Sequence, residues 1–595
     1  MLPNSKTFQI GTVLIDDNSN QKAASLLFEN PIQIISANSP NEVLTALKSI
    51  ETATQNGKYL AGFFSFELGY CLEAKLLPLL PKRRELPLLW FGVYDGPTKL
   101  KAAEIEKLLI ENCKTNGFHH TELTFSLSEQ QYRAKFERIH SAIRAGTIYQ
   151  ANLTFIANAD FCGSALALYN DLRTKQKTKY GAYIDLGDFQ ILSRSPELFF
   201  EKMGSSITTI PMKGTAARGK TNALDKLNRN ALFSDEKQRA ENLMITDLMR
   251  NDLSRISNPK SVKVSKLFAI ETYPTLFQMV SQINSHLKVN TNISDIIRAI
   301  FPSGSITGAP KISAMEQINT TENSPRGIYC GAIGYIAPNQ DAKFNVAIRT
   351  PIIRGGKLQM GIGSGIVYDS NAASEYQECL LKAKFLETKK PNLIETFLFQ
   401  RNSGFARLSR HLKRLQTSAN FLGISCDIRE IENQLRQLQS QIKRPYARIR
   451  IEFGDELQIT HSELTMAQEP MIFTLSPTIM RSNNPWLKHK TGNRTLYDSE
   501  WQTNRNKGFD EIVYCNEMGE ITEGSRTNIF LDMGDGILQT PPLKCGLLPG
   551  ILREELLELG QAKEKTLYLA DLTNAKQIYL GNSLRGLKNA VFRTF

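Results

Sequence analysis

The sequence has no uninterrupted apolar run approaching the about 18 residues a membrane-spanning helix needs, so no span is expected. No CxxC pair occurs among its eight cysteines: Cys71, Cys113, Cys162, Cys330, Cys379, Cys426, Cys515 and Cys545. That excludes the short thiol pairs used for zinc or redox work, and a 595-residue chain needs no disulfide staples. Reduced thiols and a cytoplasmic location are the expectation. The GxxxxGK[ST] phosphate loop is absent. So is any Lys/Arg-rich run with interleaved aromatics, and the net charge of +13 therefore does not read as a nucleic-acid footprint. A basic field also suits small anionic substrates. Met1 to Lys6 lack the charged-then-apolar pattern of a targeting segment, and Asp16 and Asp17 interrupt the apolar stretch that follows. There is no internal repeat and no low-complexity segment.

What is present is an ordinary globular composition, 41% apolar and 22% charged, in a chain too long for one core. One stretch stands out, Ile210-Pro211-Met212-Lys213-Gly214-Thr215. The β-branched residues before it predict a strand, and the glycines after it predict a loop. That sets Lys213 at a strand end beside a tight turn. An amine held in a partly dry place loses its charge more easily and becomes a nucleophile. Alone, Lys213 reads better as one solvated base among 72 basic residues.

The surroundings add chemistry. Ser128 as N-cap, with Tyr132, Phe136, Ile139 and Ile143, predicts a helix over 128–145. A second helix over 235–250 carries Glu241 on an apolar face with Ile245 and Leu248, which is costly for a carboxylate without a partner or a metal. Glu375 and Glu378, three apart in a third helix, point the same way. Together the acidic helices predict a hard divalent ion such as Mg²⁺. Gly361 to Val367 and Phe301 to Lys311 are glycine-rich turns suited to anions. Ala347 to Thr350 predicts a strand with Arg349, whose fork suits a carboxylate.

The motifs PMKGT (211–215), AENLMITDLMRNDLSR (240–255), FPSGSITGAPK (301–311), GIYCGAIGY (327–335), AIRT (347–350) and GSGIVYDSNAASEYQE (363–378) resemble the chorismate-binding family. That family includes anthranilate synthase, isochorismate synthase and component I of aminodeoxychorismate synthase. The resemblance is strong over about 120–386 and weaker before it. It implies that Lys213 adds covalently to the chorismate ring, as the lysine of the aminodeoxychorismate synthases is thought to do; anthranilate synthases carry alanine there. It implies Glu197 as the general acid, Glu241, Glu378 and Glu375 as Mg²⁺ ligands, Tyr329 and Arg349 on the enolpyruvyl carboxylate, and Ser305 and Gly365 near the ring carboxylate. Gln278 departs from the histidine of anthranilate synthases, and Gln238 from an acid in some relatives. No glutamine-hydrolysing domain is present in the sequence. Ammonia would come free or from a separate glutamine amidotransferase partner.

After Lys389, Lys390 and Pro391 a new core begins. Glu395 to Phe399, Arg410 to Leu415 with Ser418 and Ala419, Leu487 to Arg494, Asp510 to Tyr514, Gly519 to Phe530 and Leu548 to Ile551 resemble the fold-type IV pyridoxal-phosphate family. This family includes branched-chain aminotransferases and aminodeoxychorismate lyase. The resemblance implies Lys490 as the cofactor lysine, with Lys488 as rival, Glu523 on the pyridinium nitrogen, and Arg414 with Ser583 on the phosphate of pyridoxal 5'-phosphate. Relatives build their sites at dimer interfaces, so a homodimer through this half is plausible. The fold expected is a two-sheet α/β sandwich of the chorismate-binding type followed by a two-subdomain α/β unit. The segments expected are 1–120 (N-terminal part), 121–388 (catalytic domain), 389–394 (linker) and 395–595 (lyase-like domain). The implied activity is synthesis of 4-aminobenzoate, a folate precursor: amination of chorismate, then elimination of pyruvate. The alternatives are an anthranilate or isochorismate synthase, with an aminotransferase-like or non-catalytic dimerisation module behind it.

Overall fold

The computed structural model describes residues 8–273, 276–464 and 469–594. Met1 to Lys6, on which the targeting expectation rests, lie outside them. The chain divides into two compact units. The first comprises residues 1–111, 123–160 and 169–387; the second comprises 112–122, 161–168 and 388–595.

The first unit is built on two large sheets, every strand pair antiparallel. One runs in the order Gln150–Gly163, Lys357–Ile366, Ile352–Arg354, Phe189–Ser195, Tyr180–Asp185, Val13–Asp16, Ala24–Phe28 and Thr98–Lys101, with Gly308–Ala309 beyond its first strand. The other runs Met212–Ala217, Leu276–His286, Ser206–Ile210, Leu198–Met203, Ala342–Val346, Ala332–Ile336, Tyr59–Phe64, Leu89–Tyr94 and Gln33–Ala37. Strands from before residue 120 therefore lie in the same sheets as the later ones. Phe64, Phe91, Phe200, Phe344 and Ile297 sit in one shared core. The helix Glu129–Arg144 forms as its spacing predicts, burying Tyr132, Phe136, Ile139 and Ile143. Ser128 caps it reciprocally with Gln131. Each such apolar side chain contributes roughly 1.5–3 kcal/mol on burial.

The second unit holds a four-stranded antiparallel sheet, Gly404–Phe405, Leu393–Gln400, Tyr446–Phe453 and Leu457–Ser462, and an eight-stranded mixed sheet. In the mixed sheet, Met471–Met480 pairs in parallel with both Glu511–Asn516 and Gly586–Phe592. The helix Leu408–Leu422 turns Leu412, Leu415, Ala419 and Leu422 onto the four-stranded sheet. Leu393 and Ile394, expected in a linker, open the first long strand of this unit. Among the described residues no helix is long and apolar enough to cross a membrane.

Candidate active sites

Lys213 does not sit in a turn followed by a loop. Met212–Ala217 is a strand, paired with Leu276–His286. Met212 pairs with Val280 and Thr215 with Gln278, so Lys213 and Gly214 together face the single residue Met279. This is a β-bulge, a device that re-aims a side chain. Gly214 has φ 92°, which a side chain would strain. Gln278 donates to the Gly214 carbonyl at 2.8 Å and accepts from Thr215 at 3.1 Å, bracing the bulge. A Cβ at Gly214 would meet the Gln238 side chain at 3.0 Å, so both departures from the family pattern touch this turn of chain.

The bulge aims the amine at Gly365. A Cβ at Gly365 would lie 3.3 Å from Lys213 Nζ and 3.0 Å from Gln150 Nε2. Burial lowers the Lys213 pKa; Glu241, Glu197 and Glu378 oppose it, and Lys382 adds to it. Glu197, 3% exposed, is pushed up to about 7 by burial, against the pull of Ser305 and Lys213. Ser305 Oγ donates to Glu197 Oε1 at 2.6 Å. A carboxyl whose pKa burial raises thus stands near an amine whose pKa burial lowers.

The three helix carboxylates are distributed differently. Glu241 is pushed up by burial and by Glu375 and Glu378, with Lys213 and Lys237 opposing. Glu378 pairs with Lys382 at 2.7 Å, which outweighs burial and holds its pKa down. Glu375 accepts from Ser370 at 2.8 Å. Their oxygen-only donors suit Mg²⁺. Among the described residues, however, no three His, Cys, Asp or Glu side chains are gathered as a ready metal cage.

Two local expectations need correction. Gly361 to Ile366 is not a glycine turn but strand, paired residue for residue with Ala151 to Ile156. Its glycines let neighbours approach: a Cβ at Gly361 would fall 2.2 Å from Tyr329 Cγ. Ala347 to Thr350 is not strand, since Val346 ends the strand and Arg349 turns with φ 50°. Burial lowers the Arg349 pKa, and Tyr273 opposes it. Tyr329 is buried, which raises its phenol well above the ordinary value. The Phe301 to Lys311 segment does enter a helix, Lys311–Thr321, but Lys311 is already committed to Asp252 at 2.6 Å.

Sequence reading passed over Gln150. It is 1% exposed, and both its side-chain polar atoms are without a partner among the described residues. A buried amide with both polar atoms unpaired, near the Lys213 amine, suits a polar ligand. Nothing in its local sequence signals this.

In the second unit, burial lowers the Lys490 pKa to about 7, helped by Arg414, Arg494 and Arg450 and opposed by Glu395. Lys488 is exposed. Glu523 is pushed up to about 8 by burial, against a Leu548 backbone hydrogen bond, Arg494 and Lys490. Arg414 donates to both oxygens of Glu395, at 2.8 and 2.7 Å, and to the Pro549 carbonyl at 2.9 Å. His411 joins Glu395 at 2.6 Å to Ser583 Oγ at 2.7 Å. The Glu395 carboxyl is held down to about 2: Arg414 and His411 overcome its burial. This network ties Arg414 to Ser583, and neither Glu395 nor His411 was foreseen. A half-buried lysine of lowered pKa, a buried acid and an anchored arginine fit the donor set of a phosphorylated pyridine aldehyde.

Residues 12–388 match the family of chorismate binding enzymes, and residues 392–589 match the class IV amino-transferases. Aminodeoxychorismate synthase component 1 of Bacillus subtilis is 40% identical over 43% of this chain and 54% of its own length. The chain thus spans little more than half of that relative. Anthranilate synthase component 1 of Neisseria gonorrhoeae is 32% identical over 64% of this chain and 84% of its own length. The crystal structure of anthranilate synthase component I from Streptococcus pneumoniae superposes with TM-score 0.53 at 25% identity, covering 63% of this chain and 94% of that one. The protein belongs to the chorismate binding enzyme family and carries a class IV amino-transferase segment behind it.

Proposed function

We propose that the chain makes 4-aminobenzoate from chorismate and ammonia in two steps, one in each unit. The observation that carries this reading is Lys213 itself: a bulge delivers its amine to Gly365, with a carboxyl of pKa about 7 nearby. In the first step the neutral amine forms a bond to ring C2 as the C4–oxygen bond breaks. Glu197 gives its proton to the departing hydroxyl, which leaves as water. Ammonia then bonds at C4 as the C2–nitrogen bond breaks, and Lys213 is regenerated. One hard displacement becomes two easier ones. Arg349 and Tyr329 would hold the enolpyruvyl carboxylate, and Ser305 and Gly365 would border the ring carboxylate. Glu241, Glu375 and Glu378 would hold Mg²⁺, which would neutralise a substrate carboxylate. Ammonia would come from a separate glutamine amidotransferase in a cytoplasmic setting.

In the second step aminodeoxychorismate loses pyruvate and becomes aromatic. Pyridoxal phosphate would supply an electron sink there. Lys490 would take the proton from the amine-bearing carbon, and Glu523 would face the ring nitrogen. Arg414 and Ser583 would hold the phosphate; three of the five guanidinium donors of Arg414 are spent and the others are left for it. Aromatisation supplies the driving force.

A second reading, anthranilate synthesis, is favoured by the Neisseria relative. Incubation with chorismate, ammonium and Mg²⁺, with and without pyridoxal phosphate, separates the two. The expected products are aminodeoxychorismate without the cofactor, and 4-aminobenzoate plus pyruvate with it. Release of anthranilate would overturn the proposal.

A further inference from the structure

Residues 112–122 belong to the second compact unit, yet they fall within the stretch that matches the chorismate binding enzymes. What they touch is the short run of chain that leads into Lys490. Pro485–Lys488 is a single 3₁₀ turn, and His489 follows it directly. Asn484 caps this turn, accepting from the Trp486 N–H at 3.0 Å. The other side-chain atom of Asn484, Nδ2, donates to the Thr115 carbonyl at 3.0 Å. Gly117 is buried against the same turn. A Cβ there would lie 2.2 Å from Trp486 Cδ1 and 2.3 Å from Asn484 Oδ1, so the packing admits only a hydrogen.

A second set of contacts comes one residue nearer the lysine. The His119 ring lies 4.3 Å from Phe421 and 5.9 Å, edge to face, from Trp486. Phe421 in turn stacks on His489 at 4.2 Å, with the ring planes 18° apart. His489 Nδ1 lies 3.0 Å from Ser418 Oγ, which fixes that ring against the helix Leu408–Leu422. The chain before Lys490 is thus braced at Asn484, Trp486 and His489. At Lys490 itself the Ile394 N–H donates to the backbone carbonyl at 2.8 Å. The bracing segment is also anchored, because Phe118–His120 pairs with Phe161–Gly163.

A 3₁₀ turn has poor hydrogen-bond geometry and sets the direction of the chain after it weakly. A lysine amine at the end of a long flexible stem inherits any error in that direction. We propose that residues 115–119, through Gly117 and His119, position Lys490, so that the amine of the C-terminal site is set in place by chain from the chorismate-binding part of the sequence. Both residues act on the backbone before Lys490 and are positioning residues. The inference rests on the reading of Lys490 as the cofactor lysine.

The test uses the full chain without and then with cofactor. Without it, trace acetylation across a pH series, followed by peptide mass spectrometry, gives the titration of the Lys490 amine, with exposed Lys488 as reference. In the parent the Lys490 midpoint should fall near 7, under burial and the charges of Arg414, Glu395, Arg494 and Arg450. His119→Ala should raise it by about one unit, because an amine that leaves a dry place regains its charge. His119→Phe keeps a ring against Phe421 and should restore the parent midpoint. Gly117→Ala should act as His119→Ala does, since Trp486 and Asn484 must shift. With pyridoxal phosphate added, uptake read by stopped-flow absorbance should slow about 10- to 100-fold in both alanine variants. Formation of aminodeoxychorismate should stay at the parent rate. Where thermal unfolding shows that an alanine variant has lost its fold, Asn484→Ser takes its place. Serine still caps the turn but does not reach Thr115, and uptake should again slow. Folded variants with the parent's Lys490 midpoint and uptake rate would overturn the proposal. So would a His119→Phe chain as impaired as His119→Ala. If the parent takes up no pyridoxal phosphate but the alanine variants still shift the Lys490 midpoint, the positioning role stands and the lyase reading falls.

Discussion

Lys213 and Lys490 are both amines withdrawn among protein atoms, but their neighbours are of opposite sign. Lys213 is met by Glu241, Glu197 and Glu378, which favour the charged form against burial. Lys490 is met by Arg414, Arg494 and Arg450, which join burial, and only Glu395 opposes. Burial alone therefore does not set a lysine's reactivity; the local charge decides how far burial goes. At Lys490 the arginines hold the amine near neutrality before any ligand arrives. At Lys213 the carboxylates hold it back, and any cation that occupied them would weaken that restraint.

The largest expected effects break the comparison outright. Lys213→Ala should lower aminodeoxychorismate formation about a thousandfold or more, while cofactor uptake by the second unit stays intact. Lys490→Ala should do the reverse: aminodeoxychorismate accumulates and pyruvate release falls by a similar factor. Separate assays of the two products check both, and unchanged formation of aminodeoxychorismate by Lys213→Ala removes the nucleophile.

Next comes Glu395→Gln. Replacing a buried carboxylate that accepts from Arg414 and His411 leaves charge uncompensated and should cost about 3 kcal/mol of stability, read by denaturant unfolding. The sign follows from the depressed pKa. The contribution of Glu395 is full above the unfolded carboxylate value and is lost as pH falls through about 2. The variant should lack that part of the acid transition.

The comparison is sharpened by pH. With Lys490 near 7, pyridoxal phosphate uptake should rise about tenfold per unit below pH 7 and level off above it, in stopped-flow absorbance. A profile still rising to pH 9 would contradict the arginine effect. The smallest change expected is from Gly365→Ala. Its methyl would stand 3.3 Å from Lys213 Nζ, so kcat/KM of the first step should fall about fivefold with Tm unchanged.

Local pattern carried some of this and not the rest. The helix from Glu129 was legible because its spacing and Ser128 cap lie within one short window. The bulge at Lys213 was not, because it exists only through pairing with Met279, 66 residues later. Likewise Gly361 to Ile366 read as a glycine-rich turn, because its partner strand, Gln150–Gly163, which holds it as extended chain, lies some 200 residues away. Family motifs named Lys213, Glu197, Lys490 and Glu523 as candidates. No role was read for Gln150, Glu395 or His411: Gln150 matters through its burial near Lys213, and Glu395 and His411 through the bond that joins two separate elements of the second unit.

The partition of the chain bears on how it is made. It passes between the two units five times, at residues 111/112, 122/123, 160/161, 168/169 and 387/388. His119 stacks 4.3 Å from Phe421, and Asn484 holds the Thr115 carbonyl, so the second unit needs a segment translated some 270 residues ahead of the rest. A gene cut at codon 388 would separate the two family segments and leave Phe421 and Trp486 facing water. Although the family matches fall end to end, the second unit takes two of its segments, 112–122 and 161–168, from within the residues that match the chorismate binding enzymes.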